Sequence, residues 1–140
     1  MAKKIAVGVV ALLLCLSPAA SAQDFPSEAA VRILEKQISM PANASPLDDY
    51  DRYYAFQEIE GRPIVVGVLR LRDGAEVVGS ATATTIPNAY VTTLEALPVA
   101  ADGGCAVVTV YFDAQTERLL PVYQRDEVAT FVTAVCNGLG

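Results

Sequence analysis

YDRYYAFQEIEGRPIVVGVLRLR, residues 50–72, decides the fold class. From Tyr50 to Glu60 the chain alternates, with Tyr54, Phe56, Glu58 and Glu60 on one face and Tyr53, Ala55, Gln57 and Ile59 on the other. That two-residue period belongs to a strand. Gly61-Arg62-Pro63 turns the chain, and Ile64 to Arg72 returns with Val66, Val68 and Arg70 opposite Val65, Gly67, Leu69 and Leu71. Asp73-Gly74 is a tight-turn pair, and β-branched residues between Glu76 and Thr85 supply a third strand. The spacing predicts a three-strand meander over 50–85.

Strand character continues downstream. Pro87-Asn88 marks a corner, Ala89–Ala96 a short strand and residues 98–104 a loop. Cys105–Asp113, CAVVTVYFD, reads as a central strand buried on both faces, because no solvent side can be named. Arg118–Gln124 supplies another strand. Residues 126–138 admit two readings. Val128, Phe131, Val132 and Val135 fit a helical face, with Asp126 as cap and Gly138 as terminator, yet the run is rich in strand formers. A strand beside Cys105–Asp113 is the favoured reading, since it brings Cys136 within reach of Cys105.

Upstream the period changes to 3.6. Over Pro26–Met40, Ala30, Ile33, Leu34, Gln37 and Ile38 share one side, with Glu28, Arg32, Glu35 and Lys36 on the other. Ser27 is placed as N-cap, Glu28 and Arg32 stand four apart, and Pro41 ends the helix. Residues 41–49, PANASPLDD, form a loop, whose Asn43-Ala44-Ser45 sequon is read as inert. The expectation is one α+β domain over 23–140, its N-terminal helix packed on the apolar face of a curved antiparallel sheet, with one disulfide.

Residues 1–22, MAKKIAVGVVALLLCLSPAASA, carry Lys3 and Lys4, then the apolar run Ile5–Leu16, then Ala20-Ser21-Ala22. This is the layout of a cleaved signal peptide, and its apolar run is shorter than the ~20 residues that span a bilayer. It resembles bacterial secretory peptides, which implies a periplasmic or extracellular product with no membrane span after cleavage. Loss of the leader removes Cys15, leaving Cys105 and Cys136, which an oxidising compartment joins.

Composition narrows function. The chain has no His and no Trp, which excludes Ser-His and Cys-His catalysis and His-ligated metals. Its formal net charge is −6, or −8 without Lys3 and Lys4, which argues against a nucleic-acid partner. No cofactor and no metal are expected. Asp48, Asp49 and Asp51 lack the spacing of a regular Ca²⁺ loop. Glu58 and Glu60 on one strand face admit a carboxylate-based enzyme, or a solvated charged face with Arg70 as cross-strand partner. Tyr50, Tyr53 and Tyr54 beside Arg52 read either as a contact surface or as core packing with the hydroxyls at its rim.

Gln57-Glu58-Ile59-Glu60-Gly61 resembles the Q-x-V-x-G hairpin of cystatins, with Ile in the Val position. The resemblance implies a hairpin, from Gln57 to Gly61, that enters cysteine-protease clefts. Cystatin-like and NTF2-like architectures are the matching fold analogies. Asp102-Gly103-Gly104-Cys105 and Cys136-Asn137-Gly138 together resemble small exported bacterial proteins of no assigned activity. The leading functional expectation is a non-catalytic exported binding domain whose partner is a protein or a small apolar ligand. Its candidate surface is Tyr50, Arg52, Tyr53, Tyr54, Gln57 and Gly61.

Overall fold

The computed structural model describes residues 25–74, 76–99, 104–124 and 130–137. The leader 1–22, the Asp102-Gly103 and Gly138 parts of the cysteine frame, and the Asp126 cap lie outside them.

The hairpin at the centre follows the alternation closely. Strand β1 (Tyr50–Ile59) pairs antiparallel with β2 (Arg62–Leu71) through ten registered pairs, from Tyr50↔Leu71 to Ile59↔Arg62. Glu60 and Gly61 alone form the turn, with φ of 51° and 74°. Two left-handed residues give a tight turn whose twist matches the strands, so Arg62 and Pro63 belong to β2 and not to the corner.

The third meander strand does not form. Only Thr82–Ala83 (β3) is extended, and it pairs antiparallel with β4 (Ala89–Val91), which lies parallel to β1. The reason is competition for the free edge of β2. That edge is taken by β5 (Gly104–Asp113) through seven antiparallel pairs, Ile64↔Asp113 to Arg70↔Val107. A parallel neighbour requires a crossover, and the chain makes one between Arg72 and Thr82. The sheet is therefore mixed. The Ala89–Ala96 strand stops at Val91, and Leu94–Ala96 forms a 3-10 turn.

The remaining edge of β5 is shared by β6 (Arg118–Leu119) at its end and by a C-terminal strand. Beyond β6, β7 (Val122–Gln124) and β8 (Thr130–Val132) make a separate two-stranded sheet. Next, β9 (Ala134–Asn137) runs antiparallel to β5, so the described part of the tail, 130–137, holds two strands and no helix. The main sheet has seven strands among the described residues, ordered β3-β4-β1-β2-β5-β6 with β9 also on β5. Cys105 and Cys136 form a disulfide. Closing a loop across 31 positions stabilises the fold by ~3–4 kcal/mol through the unfolded chain's entropy.

The helix α1 (Glu28–Glu35) is shorter than the period predicts. Ser27 does cap it, accepting from the Ala30 amide at 3.2 Å. Past Glu35 the amides of Gln37 and Ile38 bond three residues back, to Leu34 and Glu35. The Gln37 side chain then leaves the helix line. Its Nε2 donates to the Glu117 carbonyl (2.8 Å) and its Oε1 accepts from the Leu119 amide (3.1 Å), clamping the turn that follows β5. Val31 and Leu34 of α1 are fully buried against Tyr50, Tyr54, Val65, Leu69, Val108, Val110 and Phe112. The opposite face is buried too: Ile64, Val66, Val68 and Val107 are all at most 7 % exposed. Both faces of the sheet thus carry buried residues at its centre.

Candidate functional site

Alternation along β1 puts Arg52 between Tyr50 and Tyr54 on the face that α1 covers. A guanidinium there requires a counter-charge, and Glu35 of the last helical turn provides it. Arg52 Nε donates to Glu35 Oε1 at 2.6 Å and Nη2 to Oε2 at 3.2 Å, with side chains 4 % and 12 % exposed. The Tyr54 hydroxyl donates to the same Oε1 at 2.9 Å. Arg52 also reaches the carbonyls of Leu47 (3.4 Å), Tyr50 (3.2 Å) and Pro87 (2.8 Å). One side chain therefore ties the helix, the loop before β1 and the corner before β4.

Burial works against the Arg52 charge, but the hydrogen bonds and charge of Glu35 outweigh it and raise its pKa. Burial, then the Glu35 carboxylate, hold the Tyr54 phenol well above its ordinary 10.0. Tyr50 acts similarly at the other end of the face. Its hydroxyl donates to the Cys105 carbonyl (2.5 Å) and accepts from the Ser45 amide (3.2 Å).

On the second face Tyr53 stacks with Tyr90 at 5.3 Å between centroids, and the Arg70 guanidinium sits 5.5 Å from the Tyr53 ring. The Tyr53 hydroxyl accepts from Arg70 (3.2 Å) and from the Val78 amide (3.3 Å), pinning the crossover segment over the sheet.

These positions correct the expected contact surface. Tyr50, Tyr53 and Tyr54 have no exposure and Arg52 has 3 %, so all four are core or internal anchors. Their large rings fill the space that α1 and the crossover segment close. Gln57 is half-buried and Gly61 exposed. The carboxylate pair is likewise not assembled. Glu58 is exposed opposite Pro63, while Glu60 lies in the turn and shares no strand face with it. Arg70 stands opposite Asp51 and not Glu58. Asp48 and Asp49 are exposed and Asp51 is buried in β1. No group of three or more metal-ligating side chains converges among the described residues. No helix among them is long and apolar enough to cross a membrane.

Among the described residues, two accessible features stand out. One is the β1–β2 tip, Glu58 to Arg62, all exposed, with Ile59 at 42 %. Behind it Arg62 pairs with the fully buried Asp113, and the Ala114 amide donates to the Pro63 carbonyl at 2.9 Å. Burial raises the Asp113 pKa, but the amides of Thr116 and Gln115 and the Arg62 guanidinium outweigh this and hold it below 3.8. The other feature is a cleft of about 300 Å³ lined by Arg32, Glu35, Lys36, Leu47 and Ile86.

Sequence reading missed Glu35 and Gln37. The available signal was Arg52, a single cation among tyrosines on a buried strand face. Comparison with protein-family models, with curated proteins and with solved structures finds no match for the chain.

Proposed function

We propose that this chain is an exported, non-catalytic binding domain that offers the tip of its β1–β2 hairpin to a protein partner. The observation that carries the reading is the exposure of residues 58–62 at the end of a hairpin whose sheet is buried on both faces. An exposed apolar knob at the end of a long paired hairpin suits insertion into a cleft. Ile59 is that knob, flanked by Glu58 and Glu60, so the partner presents an apolar pocket with a basic rim. The disulfide between Cys105 and Cys136 supports an oxidising destination.

A photo-crosslinking residue at Glu60, in cells exporting the full chain, tests the reading. A discrete adduct from Glu60, with none from the same probe at exposed Ser80, is expected. Equal labelling from both positions refutes it.

The QEIEG segment favours one more specific version, entry into a papain-like protease cleft, because the five residues that carry the cystatin resemblance run from the end of β1, Gln57 to Ile59, into the Glu60-Gly61 turn. Inhibition of papain at micromolar concentration, lost in Gly61→Arg, supports that version. Absence of inhibition at that concentration ends it and leaves the broader reading to the crosslinking result.

A further inference from the structure

The cleft beside the end of α1 has a composition unlike the rest of this acidic chain. Two cations, Arg32 and Lys36, stand over two apolar side chains, Leu47 and Ile86, with Glu35 completing the wall. The sign of the site turns on which of these charges are already neutralised. Both Glu35 oxygens are engaged by Arg52, and one also accepts from Tyr54, so this carboxylate faces the cleft neutralised. Arg32 is balanced by Glu28 at 2.8 Å. Lys36, exposed, forms no ion pair among the described residues. The helix end adds little negative potential, because the carbonyls of Arg32, Leu34 and Glu35 accept from the amides of Lys36, Gln37 and Ile38.

We infer that this cleft binds a small amphipathic monoanion, an apolar body bearing one carboxylate. The carboxylate meets Lys36 and the free edge of Arg32, and the body lies on Leu47 and Ile86. A cation is disfavoured because every nearby carboxylate is already paired. A dianion such as a phosphate monoester is disfavoured because only one positive charge is left unbalanced. The volume, about 300 Å³, is at the lower limit of ligand sites, ~300–1,000 Å³, which restricts the body to a short chain or a single ring. This site is separate from the hairpin tip and stands or falls without it.

The test is an NMR titration of the full disulfide-bonded chain with octanoate, beside octanol, octylammonium and acetate. Octanoate is expected to saturate with a Kd on the order of 1 mM, moving the amides of Lys36, Leu47 and Ile86, while the other three probes bind more weakly. Lys36→Gln, an exposed change expected to leave the unfolding midpoint in place, weakens octanoate about fivefold. Lys36→Glu removes saturation. Octanol or octylammonium binding as tightly as octanoate, non-saturating shifts spread over the chain, or unchanged affinity in Lys36→Gln overturns the inference.

Discussion

Truncating Glu35 to alanine removes the counter-charge of a guanidinium that is almost wholly inside the protein. Arg52 keeps its three carbonyl acceptors at 2.8, 3.2 and 3.4 Å, but its two bonds to carboxylate are lost and the charge stays. Breaking one side of a buried ion pair costs ~3–5 kcal/mol. The Tyr54 hydroxyl, also without exposure, loses its acceptor at ~1 kcal/mol. The carbonyls offset part of this, so Glu35→Ala is expected to lower unfolding free energy by ~3–5 kcal/mol. That is a large share of the ~5–15 kcal/mol typical of a domain. The assay is urea unfolding followed by far-UV circular dichroism with the disulfide intact, where the midpoint falls at constant slope. Arg52→Met alone strands Glu35 less severely, since its side chain is 12 % exposed. In a double-mutant cycle the pair Glu35→Leu with Arg52→Met should therefore cost less than the sum of its parts by more than 1 kcal/mol. A loss below ~1 kcal/mol for Glu35→Ala, or additive singles, would falsify the assignment of this pair as the anchor of α1 on the sheet.

Three further outcomes follow from individual positions. Asp113 is held below its ordinary pKa of 3.8, so the stability it contributes is present above that value and is lost as pH falls through the lower folded one. Asp113→Asn should flatten the acid limb of an unfolding titration below about pH 4, and an unchanged limb contradicts the pairing with Arg62. Gly67 faces Val110 and Tyr54, and an added Cβ would lie 2.6 Å from Val110 Cγ2 and 2.8 Å from Tyr54 Cε1. Gly67→Ala should thus destabilise by ~1–3 kcal/mol, read from the same denaturation curves; a neutral effect would show that the ring can move. Glu60 holds φ at 51° in an open turn. Glu60→Gly should stabilise by ~0.5–1 kcal/mol, and a loss of stability instead would mean that the carboxylate contributes to the turn.

The sequence exposes local periodicity better than it exposes partners. β1, β2 and the cysteine strands are legible because alternation and turn residues are local signals, and the Cys105–Cys136 pairing follows from counting. The tail resolves as strand because Cys136 must lie beside β5, a tertiary constraint that helix propensity does not carry. The third meander strand fails because a local pattern cannot say which of two strands wins one edge of β2. That contest is settled by Val107–Phe112, thirty residues or more further on. The tyrosines show the same limit. Tyr50, Tyr53 and Tyr54 read either as a contact patch or as core until the helix, the crossover segment and Tyr90 are laid over them, which decides for core. Glu35 sits on what periodicity marks as the helix's solvent side, and only the approach of Arg52 from β1 turns it inward.

The claim on which the functional account depends is that Ile59, at the hairpin tip, works without supporting the fold. The direct measurement is Ile59→Asp, combining thermal unfolding with crosslinking from Glu60. Because Ile59 is 42 % exposed, the midpoint should stay within what a surface change of ~0.5 kcal/mol allows, while the crosslinked adduct disappears. An adduct of undiminished yield, or a midpoint that collapses with the substitution, contradicts the account.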